Sequence, residues 1–422
     1  MHKQKNTAFG SAATAQLRKE HSDEPSFKNL GLDVPILKVL DRLKFHTPTP
    51  IQTQAIPDGL KGEDIIGVAQ TGTGKTLAFG LPIVQRLIRH GGRGLILLPT
   101  RELALQVEEV MHKVAGSFGI RTAIIIGGAS MSHQLRDLRK NPHVIIGTPG
   151  RIIQHIEEKT IPLSDVSVLV LDEADRMLDM GFAPQIKKIL HVIPKDRQTM
   201  LFSATMPSEI VKIATEHMKT PTHVEVARQG TTAELVDQEI YIVTRNQKRH
   251  LLETLLKQYE GTVLVFSRTK YGAKKICRDV NRMGHKAAEI HSNRSLGQRK
   301  EALEGFKRGK YRVLIATDIA ARGIDVNDIA LVLNYDVPEY AEDYVHRIGR
   351  TARAGKAGRA ITFIMPSQSD KLRKIEHLIE TKLPQTILPE GLPEPEREAP
   401  KAQRVRSGTR TTYRANRRGH RR

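Results

Sequence analysis

Three short segments of this sequence carry residue types whose spacing suits the chemistry of a nucleoside triphosphate. The first is AQTGTGKT, from Ala69 to Thr76, which directly follows the apolar run DIIGV. Glycine-rich loops of this kind let backbone N–H groups approach phosphate oxygens. The residues that would cradle the phosphates are Thr71, Gly72, Thr73 and Gly74. Lys75 could then reach the β- and γ-phosphates, and the Thr76 hydroxyl could bind Mg²⁺. Because Ala69 replaces the first glycine of the general pattern, a glycine turn that only joins a strand to a helix stays open.

The second segment is acidic and follows the apolar run VSVLVL. It reads Asp172-Glu173-Ala174-Asp175. Acids at the carboxyl end of a strand suit a metal ion and water, so Asp172 would hold Mg²⁺ and Glu173 would orient and deprotonate an attacking water. The alternative is a group of acids that only caps a helix.

The third segment is basic and runs from His346 to Arg353, HRIGRTAR. Arginines three residues apart lie on one side of a helical turn, so Arg350 and Arg353 could reach together toward a γ-phosphate. They would stabilise charge on the phosphoryl group during its transfer. The alternative is a basic helix end that faces solvent.

The elements that must position these segments are short apolar runs, each of which ends in a polar or glycine-rich cluster. Such runs suit strands buried on both faces of a parallel sheet, and ligands bind beyond the carboxyl ends of those strands. The first series is DIIGVA, GLILL, TAIII, HVII, VSVLVL and QTMLF, and the second is TVLVF, AAEI, YRVLIA and LVLNY. We therefore predict an α/β fold of two similar domains with parallel sheets, at 25–225 and 235–380. A disordered leader (1–24), a linker (226–234) and a disordered tail (381–422) complete the prediction.

Composition indicates which partners to expect. The 422 residues carry a formal net charge of +21, and from Lys401 to Arg422 there are nine Lys or Arg and no acid. This charge favours a polyanion such as nucleic acid, although a role in solubility alone stays open. The single cysteine, Cys277, the missing apolar core of a secretory signal and the short apolar runs predict a cytoplasmic location.

The motifs together resemble the DEAD-box family of ATP-dependent RNA helicases, from about Phe27 to about residue 370, and among its members the RhlE-like ones most. Besides the three segments, the resemblance rests on TPTPIQ, PTRELA, the Gly127-Gly128 pair, TPGR, SAT, VFSRTK and ATDIAARGID. It implies two RecA-like domains with ATP and RNA at the cleft between them. The activity it implies is ATP hydrolysis coupled to local, non-processive separation of RNA strands. An ATP-gated RNA clamp and a DNA translocase are the alternatives.

The resemblance also assigns roles to individual residues. Gln52 should contact the adenine edge with Phe27 stacked on the ring, and Asp325 should contact the ribose. The residues expected to couple ATP to domain closure are Ser203, Thr205 and His346. The residues expected to bind RNA, largely independently of its sequence, are Thr100, Arg101, Gly128, Thr148, Arg151 and Thr317. The cofactors would be ATP and Mg²⁺, and the protein would be a monomer with ribosome-assembly or RNA-decay proteins as candidate partners.

Three positions depart from the family pattern. Lys44 stands where Gly usually precedes the aromatic Phe45, Leu296 replaces a Gln, and Ala352 replaces a Gly. Lys44 would alter a turn, Leu296 would remove a polar contact near the RNA or the domain interface, and Ala352 would matter only at a positive φ.

Overall fold

The first domain is built around a sheet whose strands all pair in parallel. The computed structural model describes residues 25–69, 72–226, 236–321, 329–351 and 358–396. Strands of the first domain are β1 (Ile65–Val68), β2 (Arg93–Leu97), β3 (Thr122–Ile125), β4 (Val144–Gly147), β5 (Val166–Asp172), β6 (Gln198–Ser203) and β7 (Thr222–Glu225). Their order across the sheet is β3-β4-β2-β5-β6-β1-β7. The nucleotide-loop strand β1 and the acidic strand β5 therefore both flank β6, so their carboxyl ends lie close together.

Helices connect these strands and cover both faces of the sheet. They are α1 (Val34–Arg42), α2 (Pro50–Lys61), α3 (Lys75–His90), α4 (Arg101–Ala115), α5 (Met131–Arg139), α6 (Pro149–Glu157), α7 (Ala174–Asp179), α8 (Ala183–Val192) and α9 (Ser208–His217). Alternate residues of the strands enter different cores. Ile96 and Val170 pack in one cluster, whereas Leu95 and Leu169 pack in the cluster on the other face. Burial of both faces explains why the central strands are continuous apolar runs.

The second domain repeats this plan with a smaller sheet. Its strands are β8 (Val236–Ile242), β9 (Val263–Phe266), β10 (Ala287–Ile290), β11 (Val313–Ala316), β12 (Leu331–Asn334) and β13 (Gly358–Ile364), in the order β10-β11-β9-β12-β13-β8 and all parallel. Its helices are α10 (Gln247–Gln258), α11 (Lys270–Arg282), α12 (Leu296–Lys307), α13 (Asp318–Ala321), α14 (Ala341–Ile348) and α15 (Ser369–Leu378). The predicted fold class, two α/β domains with parallel sheets, is confirmed.

Strands β7, β8 and β13 were not predicted from the sequence. β7 and β8 lie at sheet edges, and each includes three polar residues that are at least partly exposed, which interrupt any apolar run. β13 is buried between two strands, but it opens with Gly358 and Arg359 and so lacks a clean apolar start. The predicted linker falls almost wholly on residues 227–235, outside the described residues.

The segment 381–396, here called the arm, corrects the predicted tail boundary. It was assigned to a disordered tail, yet Leu383 is buried in one core of the second domain, and Leu388 and Leu392 pack against the core on the other face. Ile240 of edge strand β8 donates its N–H to the Pro384 carbonyl (2.9 Å) and accepts from the Thr386 N–H (2.9 Å). Three spaced leucines thus attach this segment to the second domain, although its high content of Pro and Glu predicted a disordered chain. Residues 397–422 lie outside the described residues.

Among the described residues, every helix is too short or too polar to span a bilayer.

Candidate nucleotide and RNA sites

The glycine-rich segment joins β1 to α3, as the sequence predicts. Gly74 caps α3 with φ of 94°, a left-handed conformation that favours glycine, and the helix begins at Lys75. Gly72 and Thr73 lie in the loop before it, whereas Thr71 is outside the described residues. A cavity of about 520 Å³ lies against this loop. Its lining includes Phe27, Gln52, Gly72, Gly74, Lys75, Thr76, Asp172 and Glu173 from the first domain and Arg350 from the second.

Gln52 is locked onto this loop by its own amide. Its Nε2 donates to the Gly74 carbonyl (2.9 Å), and its Oε1 accepts from the Thr49 N–H (2.9 Å). A Cβ on Gly74 would lie 2.4 Å from Gln52 Nε2, so only glycine allows this approach. The side chain is 3% exposed and lines the cavity. One amide hydrogen and one lone pair stay available for a nucleobase, an arrangement that suits the predicted adenine contact.

Lys75 and Asp172 face each other at the inner end of the cavity. The Lys75 ammonium donates to the Ala69 carbonyl (3.1 Å) and lies 3.5 Å from Asp172 Oδ1. Burial raises the pKa of Asp172, and Lys75 opposes that rise. Thr76, which carries a hydroxyl group, lines the same cavity. A carboxylate and a hydroxyl beside a phosphate loop are oxygen donors of the kind that Mg²⁺ accepts together with substrate phosphates.

Glu173 is a buried carboxylate that stays ionised. Burial alone would raise its pKa, but Arg176, Lys75, His346 and Arg350 outweigh burial and lower the pKa to about 2. Arg176 Nη1 donates to Glu173 Oε2 at 2.8 Å. Glu173 also has φ of 52°, a conformation that costs energy for a residue other than glycine. A carboxylate with so low a pKa is a weak base, so this arrangement favours orienting a water over removing its proton.

Asp175, to which the sequence analysis gave no role, organises the predicted coupling residues. Its Oδ2 accepts hydrogen bonds from the Thr205 N–H (2.9 Å) and the Thr205 hydroxyl (2.9 Å). Its own N–H donates to the Ser203 hydroxyl (3.2 Å). The end of β6 is therefore tied to the acidic segment after β5, so a shift at Glu173 would be transmitted to Ser203 and Thr205.

The second domain contributes positive charge to the cavity. Arg350 lines it and is 3% exposed, and both His346 and Arg350 help to lower the pKa of Glu173. Arg347, between them, has a different role. It donates to both oxygens of Asp318 (2.6 and 2.7 Å) and to the Asn334 amide oxygen (3.0 Å), so it fixes the segment after β11. Arg353 and Asp325, which the sequence placed at the ATP site, lie outside the described residues.

The predicted RNA contacts of the first domain share one edge of its sheet. Thr100 follows β2, Gly128 follows β3 and Thr148 follows β4, and these three strands are neighbours. Thr100 caps α4 by accepting from the Leu103 N–H (3.3 Å). Arg101 packs on the glycine pair, since a Cβ on Gly128 would lie 2.0 Å from its Nη1. Gly128 has φ of 76°, so both its conformation and its closeness to Arg101 require glycine.

Arg151 reaches the same glycine-rich turn from the other side. Its guanidinium lies near Met131 Sδ (3.4 Å) and the Ala129 carbonyl (3.5 Å). In the second domain, Thr317 follows β11 and is 9% exposed. The predicted RNA contacts thus lie at carboxyl ends of strands in both domains. They lie apart from the residues that line the nucleotide cavity.

A buried ion pair joins the two domains near these RNA contacts. Glu102, next to Arg101 on α4, lies 2.7 Å from Arg299 Nη2 on α12, and both side chains are 8% exposed. Burial raises the pKa of the Glu102 carboxyl despite the nearby Arg299. Leu296, at the start of α12, packs against the core of the first domain. Leucine at this position therefore replaces the expected polar contact with an apolar contact between the domains.

The other two departures have different outcomes. Lys44 has φ of 61°, a left-handed conformation that glycine adopts without cost. The turn that it alters therefore forms, but with a strained residue. Ala352 lies outside the described residues.

Sequence reasoning missed several residues of the site. Phe45 is 39% exposed and lines the nucleotide cavity beside Phe27, so it is a second candidate for stacking on a base. Its place five residues before Pro50, where the TPTPIQ helix begins, was a usable signal. Asp318 had no such signal, because its role depends on Arg347, which the fold brings to it. Arg176 stands three residues after Glu173, and this spacing could have indicated their pair.

Comparisons with known proteins identify the family. The description "DEAD/DEAH box helicase" matches residues 49–213, and "Helicase conserved C-terminal domain" matches residues 246–355. The ATP-dependent RNA helicase CshA of Listeria monocytogenes is 44% identical over 360 residues, which is 85% of this chain and 69% of that protein. CshA of Bacillus licheniformis is also 44% identical, over 85% of this chain and 74% of that protein. These relatives give no support to an RhlE-like assignment within the family.

A solved structure agrees in fold. S. cerevisiae Dbp5, bound to RNA and ADP BeF3, is 31% identical over 86% of this chain and 95% of its own, with a TM-score of 0.76. The sequence relatives and the arrangement of phosphate loop, acidic segment and facing arginine lead to one assignment. The chain belongs to the DEAD-box family of ATP-dependent RNA helicases.

Proposed function

We propose that the ATP-dependent RNA helicase activity of this chain arises from closure of its two domains around ATP and RNA. The observation that carries this proposal is the shared cavity. Lys75, Asp172 and Glu173 reach it from the first domain and Arg350 reaches it from the second. A triphosphate held there would contact both domains, so its hydrolysis would loosen the contact between them.

Within the cavity, each group has a distinct part. Lys75, whose ammonium lies 3.5 Å from Asp172 Oδ1, would bind the β- and γ-phosphates. Thr76 and Asp172 would hold a Mg²⁺ ion, which would neutralise charge on the phosphates. Glu173 orients the attacking water, and Arg350, joined by Arg353, stabilises negative charge on the phosphoryl group. Gln52 and Phe27 select adenine, while Asp325 contacts the ribose.

RNA lies across the carboxyl ends of the strands in both domains, on the six predicted contact residues. Contacts to phosphate and sugar carry no sequence information, so recognition is largely independent of sequence. Closure bends one bound strand, and a bent strand cannot stay in an A-form duplex. Short helices therefore open locally, and phosphate release reopens the protein through Asp175, Ser203 and Thr205, with His346.

A Glu173→Gln variant tests the catalytic assignment. It should bind ATP and RNA normally and lose turnover by about 10²-fold or more, because the attacking water is no longer held in position. Glu157→Gln, an exposed change on the same domain, is the control and should keep full turnover. Wild-type hydrolysis by the Glu173 variant would remove that residue from the mechanism.

An Arg350→Ala variant tests the interdomain part separately. Loss of an arginine that contacts the transferring phosphoryl group should lower turnover by about 10³-fold or more, with little change in ATP affinity. Full activity in this variant would mean that the triphosphate is not held between the domains.

The second candidate is an ATP-gated RNA clamp, which would use the same residues. The observation that favours it is the buried Glu102–Arg299 pair, which joins the two domains and would be broken if they opened. Multiple turnovers with release of a displaced strand would support the helicase, and stable ATP-dependent retention on RNA would support the clamp. Comparing stimulation by RNA and by DNA of equal sequence separates both from a DNA translocase.

The Arg-rich run of residues 401–422 is proposed to tether RNA without sequence preference. Removing it should weaken RNA binding and flatten its salt dependence, since each lost phosphate contact lowers the slope by about 0.7. We also propose a monomer that acts in the cytoplasm, where a chain with the single cysteine Cys277 and so no internal disulfide is at home.

A further inference from the structure

Helix α11 presents an unusual outer surface. Its inner side buries Ala273, Ile276, Cys277 and Val280 in the core of the second domain. Its outer side exposes Tyr271, Lys274, Lys275, Arg278 and Arg282, here called the basic face. These five residues recur at the helical period, so they form one continuous row. At a rise of 1.5 Å per residue, the row is roughly 16 Å long.

The cations of the basic face are not neutralised as those of other helices are. On α4, Lys113 pairs with Glu109 at 2.7 Å, and on α10, Lys257 pairs with Glu253 at 3.0 Å. Lys274, Lys275 and Arg282 form no ion pair with any part of the chain that the structure describes. Arg278 has one weak acidic neighbour, Asp279, at 4.0 Å. Acids one turn away would stabilise this helix, so their scarcity leaves an uncompensated positive surface.

The basic face begins beside the proposed RNA path. Helix α11 starts immediately after β9, and its Lys270 ammonium donates to the Asn293 side-chain oxygen (3.0 Å), which follows β10. Strand β11 lies between β9 and β10, and Thr317 follows it. Tyr271 therefore lies toward the same end of the sheet as Thr317, at the carboxyl ends of the strands, while Arg282 lies toward their amino ends.

Tyr271 is suited to contact a nucleobase. It is 70% exposed, which is unusual for so large an apolar ring, and the Lys270 ammonium lies 5.3 Å from its ring centroid. Exposed aromatic rings next to cations stack on the bases of single strands, and such stacking tolerates any sequence.

We propose that the basic face binds the backbone of RNA that extends beyond the two-domain site, with Tyr271 stacking on a base where the strand leaves Thr317. The proposal rests on the proposed function, because it places the new surface at the end of that RNA path. The charge of this surface indicates its ligand, because four cations in a row are complementary to the negative phosphates of an RNA backbone. An acidic protein segment is the competing ligand that the experiment must exclude.

Salt dependence gives the expected size of the effect. Four phosphate contacts on a single strand contribute a slope of about −3 in log affinity against log salt. The affinity that the basic face adds should therefore fall about 50-fold between 50 and 200 mM salt.

The test replaces Lys274, Lys275, Arg278 and Arg282 together by Gln and measures binding to a series of RNA single strands of increasing length. Wild-type affinity should rise with length beyond the minimal strand, with a steeper salt slope, and the variant should lose both gains. The matched control removes four exposed lysines of the first domain, Lys187, Lys188, Lys195 and Lys212. It has the same net charge as the variant and should keep the dependence on length.

Three outcomes separate failure of this inference from failure of the proposed function. If wild-type protein hydrolyses ATP in response to RNA but the variant keeps the full length dependence, the basic face does not bind RNA. If the variant keeps RNA affinity but loses binding to polyglutamate, the ligand is an acidic protein segment and the proposal is wrong. If RNA neither binds the wild type nor stimulates its ATP hydrolysis, the proposed function itself fails.

Tyr271 is tested by Tyr271→Ala beside Tyr271→Phe. Stacking predicts that Ala weakens binding of long strands about 5- to 100-fold and that Phe retains it. The Ala defect should vanish on a strand with abasic sites at the corresponding positions. Equal affinities for all three proteins would exclude a stacked base at this residue.

Discussion

The buried pair of Glu102 and Arg299 gives the sharpest prediction about domain closure. Each side chain is 8% exposed and comes from a different domain. Removing one partner of a buried pair costs about 3–5 kcal/mol, because the other charge is left buried and alone. When the domains open, that remaining charge is hydrated, so the whole cost falls on closure. We therefore expect Glu102→Met to lower the closure equilibrium by roughly 100- to 4,000-fold.

The two single variants should differ in a definite order. Burial already raises the pKa of Glu102, so without Arg299 this carboxyl can take up a proton and become neutral. An arginine, by contrast, keeps its charge at neutral pH. Arg299→Met should therefore impair closure less than Glu102→Met, and its defect should shrink as pH falls. The double variant should be better than Glu102→Met alone, since no charge is left buried.

The assay is the RNA concentration that gives half-maximal stimulation of ATP hydrolysis, measured beside ATP affinity without RNA. The RNA requirement should rise sharply, whereas ATP affinity should hold, because neither residue lines the nucleotide cavity. Arg294→Met is the matched control, since it removes an arginine partner of Glu289 within the second domain. A change of less than about threefold in the required RNA concentration for either single variant would refute the reasoning. Free-energy changes of the two single variants that simply added in the double variant would also refute it.

Three further predictions concern stability. Lys44→Gly should stabilise the protein by about 1 kcal/mol, because glycine adopts the positive φ without strain, and Lys44→Ala should not; urea unfolding measures both. Leu383→Ala should destabilise the second domain by about 2–3 kcal/mol in the same assay, whereas Ile387→Ala, at an 89% exposed arm residue, should have little effect. Because the pKa of Glu173 falls from 4.5 to about 2, its carboxylate stabilises the fold above about pH 4.5 and loses that effect as pH falls toward 2. Glu173→Gln should remove this part of the pH dependence of unfolding; an unchanged profile would contradict a paired carboxylate.

The sequence predicted those parts of the fold whose signal is local. Strands such as Val166–Asp172 are continuous apolar runs because both faces are buried, and the polar cluster after each run marks the carboxyl end. The segment of β8 gave no such signal, because its Asp237, Gln238 and Glu239 lie at an edge where polar residues are tolerated. The arm was misassigned for a similar reason, since its few leucines are spread among prolines and acids.

The candidate site shows the same division. The motifs located Lys75, Asp172, Glu173 and Arg350, which the structure gathers around one cavity. Arg176 stands three residues after Glu173, so spacing could have indicated that pair. Spacing could not reveal that Glu102 would meet Arg299, because these two residues are separated by nearly two hundred positions. The contact between Glu102 and Arg299 depends on how a helix of the first domain packs against a helix of the second. No local pattern encodes that geometry.

The arm has a practical consequence for handling this protein. Its hydrogen bonds at Ile240 cover part of the outer strand of the second sheet. An uncovered outer strand offers free N–H and C=O groups to the same strand of another molecule, which is a route to aggregation. A shortened protein that ends near residue 380 should therefore precipitate or self-associate during purification, whereas one that ends after Glu396 should stay monodisperse. Affinity tags at the carboxyl terminus are best joined beyond that residue.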